Sequence, residues 1–136
     1  MIASRTSILV ALPLALLFLA CPFALFDFAV EWRNGPYGLV VVDDPENTTL
    51  AYHTEGDTWA TLVEPRVFAV GANQRYIVVK QHPDGKKSTT NYFIVDIAMG
   101  MPKGNQRGGV AGPLTEQEFN ERVATMQLPP FTKTLE

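Results

Sequence analysis

Cysteine, histidine and serine are scarce in this 136-residue sequence, and each scarcity excludes a class of chemistry. Cys21 is the single cysteine, so the sequence contains no pair that could form a disulfide and no cysteine-based zinc site. Beyond residue 30 the only serine is Ser88, and its neighbours do not match the Gly-x-Ser-x-Gly pattern of a nucleophile elbow. We therefore expect packing, rather than cross-links, to stabilise the fold.

Basic residues are also few, with 11 Lys and Arg against 14 Asp and Glu. Without Arg5, which belongs to the apolar N-terminus, the remainder has a net charge near −4. A protein that binds the phosphate backbone needs a clustered basic surface. The only adjacent basic pair is Lys86-Lys87, in a predicted loop, so we expect no binding to nucleic acid.

Residues 6–26 contain no charged side chain. As a helix this run would be about 31 Å long, close to the hydrocarbon thickness of a bilayer, and it is apolar on every side. It predicts a membrane-directed helix. We divide the chain accordingly into a signal or membrane-anchor segment, residues 1–30, and a small extracytoplasmic β domain with a C-terminal helix, residues 31–136.

Three fates remain open for the N-terminal segment. An uncleaved inner-membrane anchor is favoured because the apolar run continues through residues 23–26, and Arg5 would then stay in the cytoplasm while the domain faces outward. A cleaved secretory signal is the second. The third is a lipoprotein modified at Cys21, since Ala20 directly precedes this cysteine as in a bacterial lipoprotein box.

Short β-branched and aromatic runs predict a mainly β fold (α+β). We expect a five- or six-stranded antiparallel meander, with residues 59–63 as an edge strand and residues 99–112, rich in glycine, as a long loop. In the last strand we assign Phe93, Val95 and Ile97 to the core face, because side chains alternate along a strand. The predicted strands are residues 39–42, 49–53, 59–63, 67–70, 76–79 and 91–97.

One helix is predicted after the glycine-rich loop. Thr115 and Glu118 have the spacing of a capping box, and Pro129-Pro130 cannot continue a helix, so the helix should end near residue 127 or 128. We expect it to cover the sheet with a stripe of three side chains at spacings of four and three. These are Phe119, Val123 and Met126.

Five residues are candidates for binding: His53, Trp59, Tyr76, His82 and Tyr92. The two histidines are the only ones in the chain, and with Asp57 and Asp84 they would form a metal or acid–base site if the sheet brought their loops together. Ordinary histidines at strand ends are the alternative. The aromatic residues either line a binding face or fill the core. No cofactor is expected.

Several short motifs resemble a family of small bacterial exported or lipid-anchored proteins that is classed as a domain of unknown function. They include Val70-Gly71-Ala72-Asn73, Lys80-Gln81-His82-Pro83 and Gly112-Pro113-Leu114-Thr115. Tyr76-Ile77-Val78, Thr90-Asn91-Tyr92-Phe93-Ile94 and Glu118-Phe119 complete the set. The resemblance spans most of residues 39–128. It implies a location and an architecture, and it supplies no catalytic residue because no activity is assigned to that family.

From these observations we expect a membrane-tethered binding or structural module of the bacterial envelope, facing the periplasm or the exterior. Its partners would be the membrane, through residues 6–26, and an envelope protein or ligand. Two alternatives stay open. One is a small hydrolase or metal-binding protein that uses His53 and His82, and the other is an inhibitor of a secreted protein.

Overall fold

The computed structural model describes residues 28–104 and 107–136. Within these residues the chain forms two antiparallel sheets and one α-helix. The first sheet, in the order β1-β2-β3-β4, contains Phe28–Asn34, Tyr37–Val42, Asp44–His53 and Trp59–Val63. The second, in the order β8-β7-β6-β5-β9, is formed by β5 Val67–Ala72, β6 Tyr76–Gln81, β7 Asn91–Asp96, β8 Val110–Leu114 and β9 Lys133–Thr134. Helix α1 is Glu116–Met126.

The prediction of a mainly β fold with antiparallel strands and one C-terminal helix is confirmed, and β4 is an edge strand as expected. The single meander of five or six strands is wrong. The chain leaves the first sheet after β4 and enters a second sheet at β5, so the strands form two layers. Three strands were missed: β1, β9 and β8, which begins inside the predicted loop.

The first strand begins at Phe28, three residues before the domain boundary predicted from the sequence. The membrane-directed helix expected over residues 6–26, and the candidate lipidation site Cys21, lie outside the described residues. Of the helices in the part of the chain that the structure does describe, none has the length and apolar character needed to cross a membrane.

The two sheets enclose an inter-sheet core. Phe93 and Val95 of β7 point into it, as their positions in the strand predict, and Ile97 packs against it from a 3-10 turn after the strand. Alternation along each strand, together with register shifts between β3 and β4 and between β5 and β6, brings the other members to the same layer. They are Tyr37, Leu39, Leu50, Leu62, Val63, Val67, Val70, Ile77 and Val79.

A second, helix-side core lies on the opposite face of the second sheet. It consists of Val78, Tyr92, Ile94, Leu114, Phe119 and Leu128. The predicted capping box is present. The Glu118 amide donates a hydrogen bond to the Thr115 hydroxyl at 3.1 Å, and the Thr115 amide donates one to the Glu118 carboxylate at 3.0 Å. The predicted stripe is wrong at Val123, which is 37% exposed, because Leu128 packs into this core from just past the helix.

The segment after the helix returns across the second sheet and ends in β9. The Thr132 amide donates to the Val70 carbonyl at 2.9 Å, and β9 then pairs with β5. Gly71 permits this crossing, because a Cβ there would lie only 1.9 Å from the Pro130 carbonyl oxygen. Residues 128–131 are thereby held next to α1, on the same face of the sheet.

Candidate functional site

The five candidate binding residues do not converge on one site. His53 and Trp59 pair across β3 and β4 in the first sheet, with ring centroids 4.8 Å apart. The Arg33 guanidinium lies 5.4 Å from the Trp59 ring centroid, and its Nη2 is 3.4 Å from His53 Nδ1. These residues form an aromatic and cationic cluster at one end of the first sheet, with Arg33 from β1, His53 from β3 and Trp59 from β4.

His82 occupies a different, buried place directly after β6 of the second sheet. Its ring stacks on Phe68 with centroids 3.9 Å apart, and its nitrogens lie 3.0 Å from the Thr89 carbonyl oxygen and 3.3 Å from the Glu136 carboxylate. The structure therefore does not bring the two histidines together. Within residues 28–104 and 107–136, no three His, Cys, Asp or Glu side chains are grouped so that they could hold a metal ion.

Tyr76 and Tyr92 share the helix-side face of the second sheet but line separate concavities. The Arg75 guanidinium lies over the Tyr76 ring, 5.3 Å from the ring centroid. Tyr76 also borders a cavity of about 450 Å³ at the β5–β6 turn. Tyr92 lies under α1 and belongs to the helix-side core. Of the five candidates, Tyr92 is the one that borders the groove described next.

A groove runs between α1 and the segment of residues 128–131, and we call it the C-terminal groove. Its volume is about 400 Å³, within the range of ligand sites. About half of its exposed lining is apolar and half is polar, so a ligand would meet both kinds of surface. The lining residues are Lys80, Tyr92, Glu116, Phe119, Asn120, Val123, Leu128, Pro129, Pro130 and Phe131.

Three aromatic rings form the floor of the C-terminal groove. Tyr92 stacks on Phe119 with centroids 4.8 Å apart, and Phe131 meets these two rings at 6.3 and 5.7 Å. Burial, followed by the negative charge of Glu116, raises the pKa of Tyr92 above its ordinary value. The phenol therefore stays protonated at neutral pH and keeps a hydrogen-bond donor at the edge of an otherwise apolar surface.

Lys80 places a positive charge over this floor. Its ammonium nitrogen lies 4.7 Å from the Phe131 centroid and 5.7 Å from the Tyr92 centroid, which is the geometry of a cation–π contact. No ion pair within 4 Å joins Lys80 to a carboxylate of the described residues. The groove thus combines an apolar floor with an ammonium whose charge is not neutralised by a salt bridge in the described structure.

The family of the chain can now be stated. A family described as "Protein of unknown function (DUF3997)" matches residues 34–133. The chain belongs to this family. The resemblance to a domain of unknown function is confirmed, while bacterial origin and export stay predictions. Neither a curated protein nor a solved structure is significantly similar to the chain.

The DUF3997 match covers β2 to β8, the helix and the residues that line the C-terminal groove, whereas β1 lies outside it except for Asn34. Of the ten lining residues, sequence reasoning named only Tyr92 as part of a site, and it missed Lys80 and Phe131 among the others. Lys80 and Phe131 are 51 positions apart and meet only through the return of the chain after α1. The signal that could have pointed to Phe131 is the pair Pro129-Pro130, which ends the helix and turns the chain back toward the sheet.

Two other concavities in this DUF3997 domain suit a ligand less well. One, of about 390 Å³, contains the buried Arg66, but its guanidinium already pairs with Glu46 at 2.7 Å and links the two sheets, and Glu64 and Asp84 add further negative charge. The other, of about 740 Å³, is lined by five exposed residues at the start of α1, and none of them is aromatic or carries a positive charge. The C-terminal groove is therefore our candidate site.

Proposed function

We propose that this DUF3997 protein is a membrane-tethered binding module outside the cytoplasm, and that its C-terminal groove holds an apolar segment of an envelope partner. The uncharged run of residues 6–26 supports the tether. Attachment to one membrane surface raises the effective concentration of the module toward a partner on that surface, so a modest groove suffices for a specific contact.

One observation carries the proposal: the Lys80 ammonium lies over the aromatic floor of the groove. Apolar contact with the half-buried Phe131 and the exposed Val123 provides binding free energy, while a cation in a partly desolvated site selects a partner with a negative charge beside its apolar group. We therefore infer a partner segment that pairs a bulky apolar side chain with a neighbouring carboxylate. The protonated Tyr92 hydroxyl adds a donor for the same carboxylate.

The exposure of Val123 supports the same proposal. It lines the groove on the helix wall, and at 37% exposed it is one of only a few large apolar side chains in the described residues that remain open to solvent. A partner seated in the groove would remove this side chain from water, and the apolar area buried in this way would favour binding.

A site-specific photo-cross-linking experiment tests the proposal in cells that make the full chain. A benzophenone amino acid is placed at position 123, and a matched control carries it at Ala124, which is exposed on the same helix and does not line the groove. We expect a discrete adduct from position 123 only, and we expect Lys80→Gln to weaken it strongly. Equal adducts from both positions, or an adduct that is indifferent to Lys80→Gln, would refute the groove as the site.

A further inference from the structure

The outer face of the first sheet has an apolar patch where the described chain begins. Phe28 is 48% exposed, and Val30 and Val42 are each 38% exposed. Phe28 pairs directly with Val42, and Val30 pairs with Val40, which is two residues before Val42 in β2. All three exposed side chains therefore share one face and one end of the sheet. Half of the exposed large apolar side chains among the described residues are gathered here.

The face is the one turned away from the inter-sheet core. Leu39 of β2 is fully buried between the sheets, so Val40 and Val42, which alternate with their neighbours along the strand, point outward. Val40, which pairs with Val30 on this same face, is buried, so the exposed side chains lie next to a packed neighbour. Three side chains held on two paired strands form a fixed surface and not a loop tip.

We propose that this patch, Phe28, Val30 and Val42, rests on the bilayer surface at the point where the membrane anchor emerges. The inference relies on the tether of the proposed function and adds an orientation to it. The uncharged run ends at residue 26, and two residues of chain span at most about 7 Å. Phe28 therefore cannot lie far from the lipid headgroups, where aromatic side chains are favoured.

Charge near the patch sets how deep it can reach. Asp43 and Asp44 follow Val42 directly in the turn to β3, and burying their carboxylates in hydrocarbon would be costly. The patch should consequently sit at headgroup level, with these carboxylates in water. The same charges favour a zwitterionic surface over an anionic one.

A second copy of the chain suits the patch less well. Antiparallel pairing of two β1 strands would put the two copies of Phe28 at opposite ends, about 20 Å apart for a seven-residue strand. The two anchors would then enter one bilayer from opposite ends of the paired strands. The paired β1 strands would therefore have to lie parallel to the bilayer surface. The irregular register between Val30 and Trp32 also interrupts the edge that such pairing would need.

Depth-dependent quenching tests the orientation on the full chain in phosphatidylcholine vesicles. A fluorescent amino acid is inserted at position 28 or 42, and a matched control at Thr61, which is exposed on the outer face of the same sheet at its opposite edge. We expect spin-labelled phospholipid to quench positions 28 and 42 strongly and position 61 weakly. The fluorescent amino acid needs no cysteine label, so residues 6–26, including Cys21, are left unchanged.

Flotation of the same vesicles separates the possible failures. If the chain floats with the vesicles but all three positions are quenched alike, the orientation is refuted while the tether stands. If the chain does not float, the tether fails, and with it the orientation. If positions 28 and 42 are shielded from lipid and from a water-soluble quencher, and the chain sediments as a dimer, the patch is a contact between copies and the inference is overturned. Binding in the C-terminal groove is measured separately by the cross-link at position 123.

Discussion

The two faces of the second sheet are both apolar but are covered in different ways. On one face a four-stranded sheet covers residues such as Ile77 and Val95, which are essentially inaccessible to solvent. On the other face the cover is an 11-residue helix about 16 Å long, and a groove remains beside it. A sheet covers a sheet over its whole width, whereas one helix covers a stripe.

Because the two faces are covered differently, the closed face contributes to stability and the open face is available for binding. A closed core with no exposed rim contributes to the free energy of folding and offers nothing to a partner. The helix-side core stops short of complete burial at Val123, and there the ring of Phe131 remains partly accessible next to the Lys80 ammonium. Comparable arrangements of an apolar floor with a few polar groups are where ligands bind.

The largest expected effect comes from a cavity in the closed core. Leu50 is fully buried between the sheets, and we expect Leu50→Ala to lower the free energy of unfolding by about 2–5 kcal/mol, because the packed layers cannot collapse around the space. Val123→Ala on the open face should change it by less than about 0.5 kcal/mol. Denaturant unfolding of both variants checks the contrast. Equal losses would mean that the two faces do not differ in the way described.

A smaller effect is expected where the return segment crosses the sheet. The Cβ added by Gly71→Ala would clash with the backbone carbonyl of Pro130. We therefore expect the free energy of unfolding to fall by about 1–3 kcal/mol and residues 130–134 to be released from the sheet. Because Phe131 leaves with that segment, the groove should lose its third ring. Hydrogen exchange at Thr132 and Leu135, whose amides bond to β5, measures the release directly.

Gly38→Ala is the matched control for Gly71→Ala. It is also a strand glycine, but its added Cβ would come to 3.0 Å from the Trp59 ring, a side chain on the outer face of the first sheet. We expect a milder loss of stability and unchanged exchange at Thr132 and Leu135. Loss of protection at those amides in both variants would show that the return segment is not specifically seated on Gly71.

The elements that the sequence predicted well are those with a local cause. The capping box at Thr115 and Glu118 needs only residues three apart, and the β-branched runs of β2 and β6 mark strands by themselves. The edge position of β4 followed from the proline just after it. These features do not depend on what the rest of the chain does.

The division into two sheets had no such local cause. In β7 both sets of alternating side chains are apolar, with Phe93 and Val95 on one face and Tyr92 and Ile94 on the other. This pattern is typical of a strand covered on both faces, but it does not say that one cover is a second sheet and the other a helix. Strand β9 is two polar residues held by pairing with β5. The groove likewise depends on contacts such as Lys80 with Phe131, which no local pattern encodes.

Two buried tyrosines, one on each face, allow the comparison to be sharpened by titration. Burial raises the pKa of Tyr37 in the inter-sheet core, with Tyr52 and Asp96 adding to it, and burial followed by Glu116 raises the pKa of Tyr92. For a group whose pKa is raised in the folded state, the stabilisation is complete below the unfolded value of about 10 and is lost as the pH rises through the folded value. We expect stability to fall above pH 10, and less steeply in Tyr37→Phe and in Tyr92→Phe.

Glu116 should act on the tyrosine of the helix-side core and not on the tyrosine of the inter-sheet core. Glu116 stands at the start of α1 and is exposed, so Glu116→Gln should lower the pKa of Tyr92 toward its ordinary value by removing a nearby negative charge. The pKa of Tyr37 should not change, since Glu116 is not among its causes. Phenolate absorbance in Tyr37→Phe and Tyr92→Phe backgrounds separates the two ionisations. A pKa of Tyr92 that does not change in Glu116→Gln would show that Glu116 does not lie close enough to this phenol to act on it.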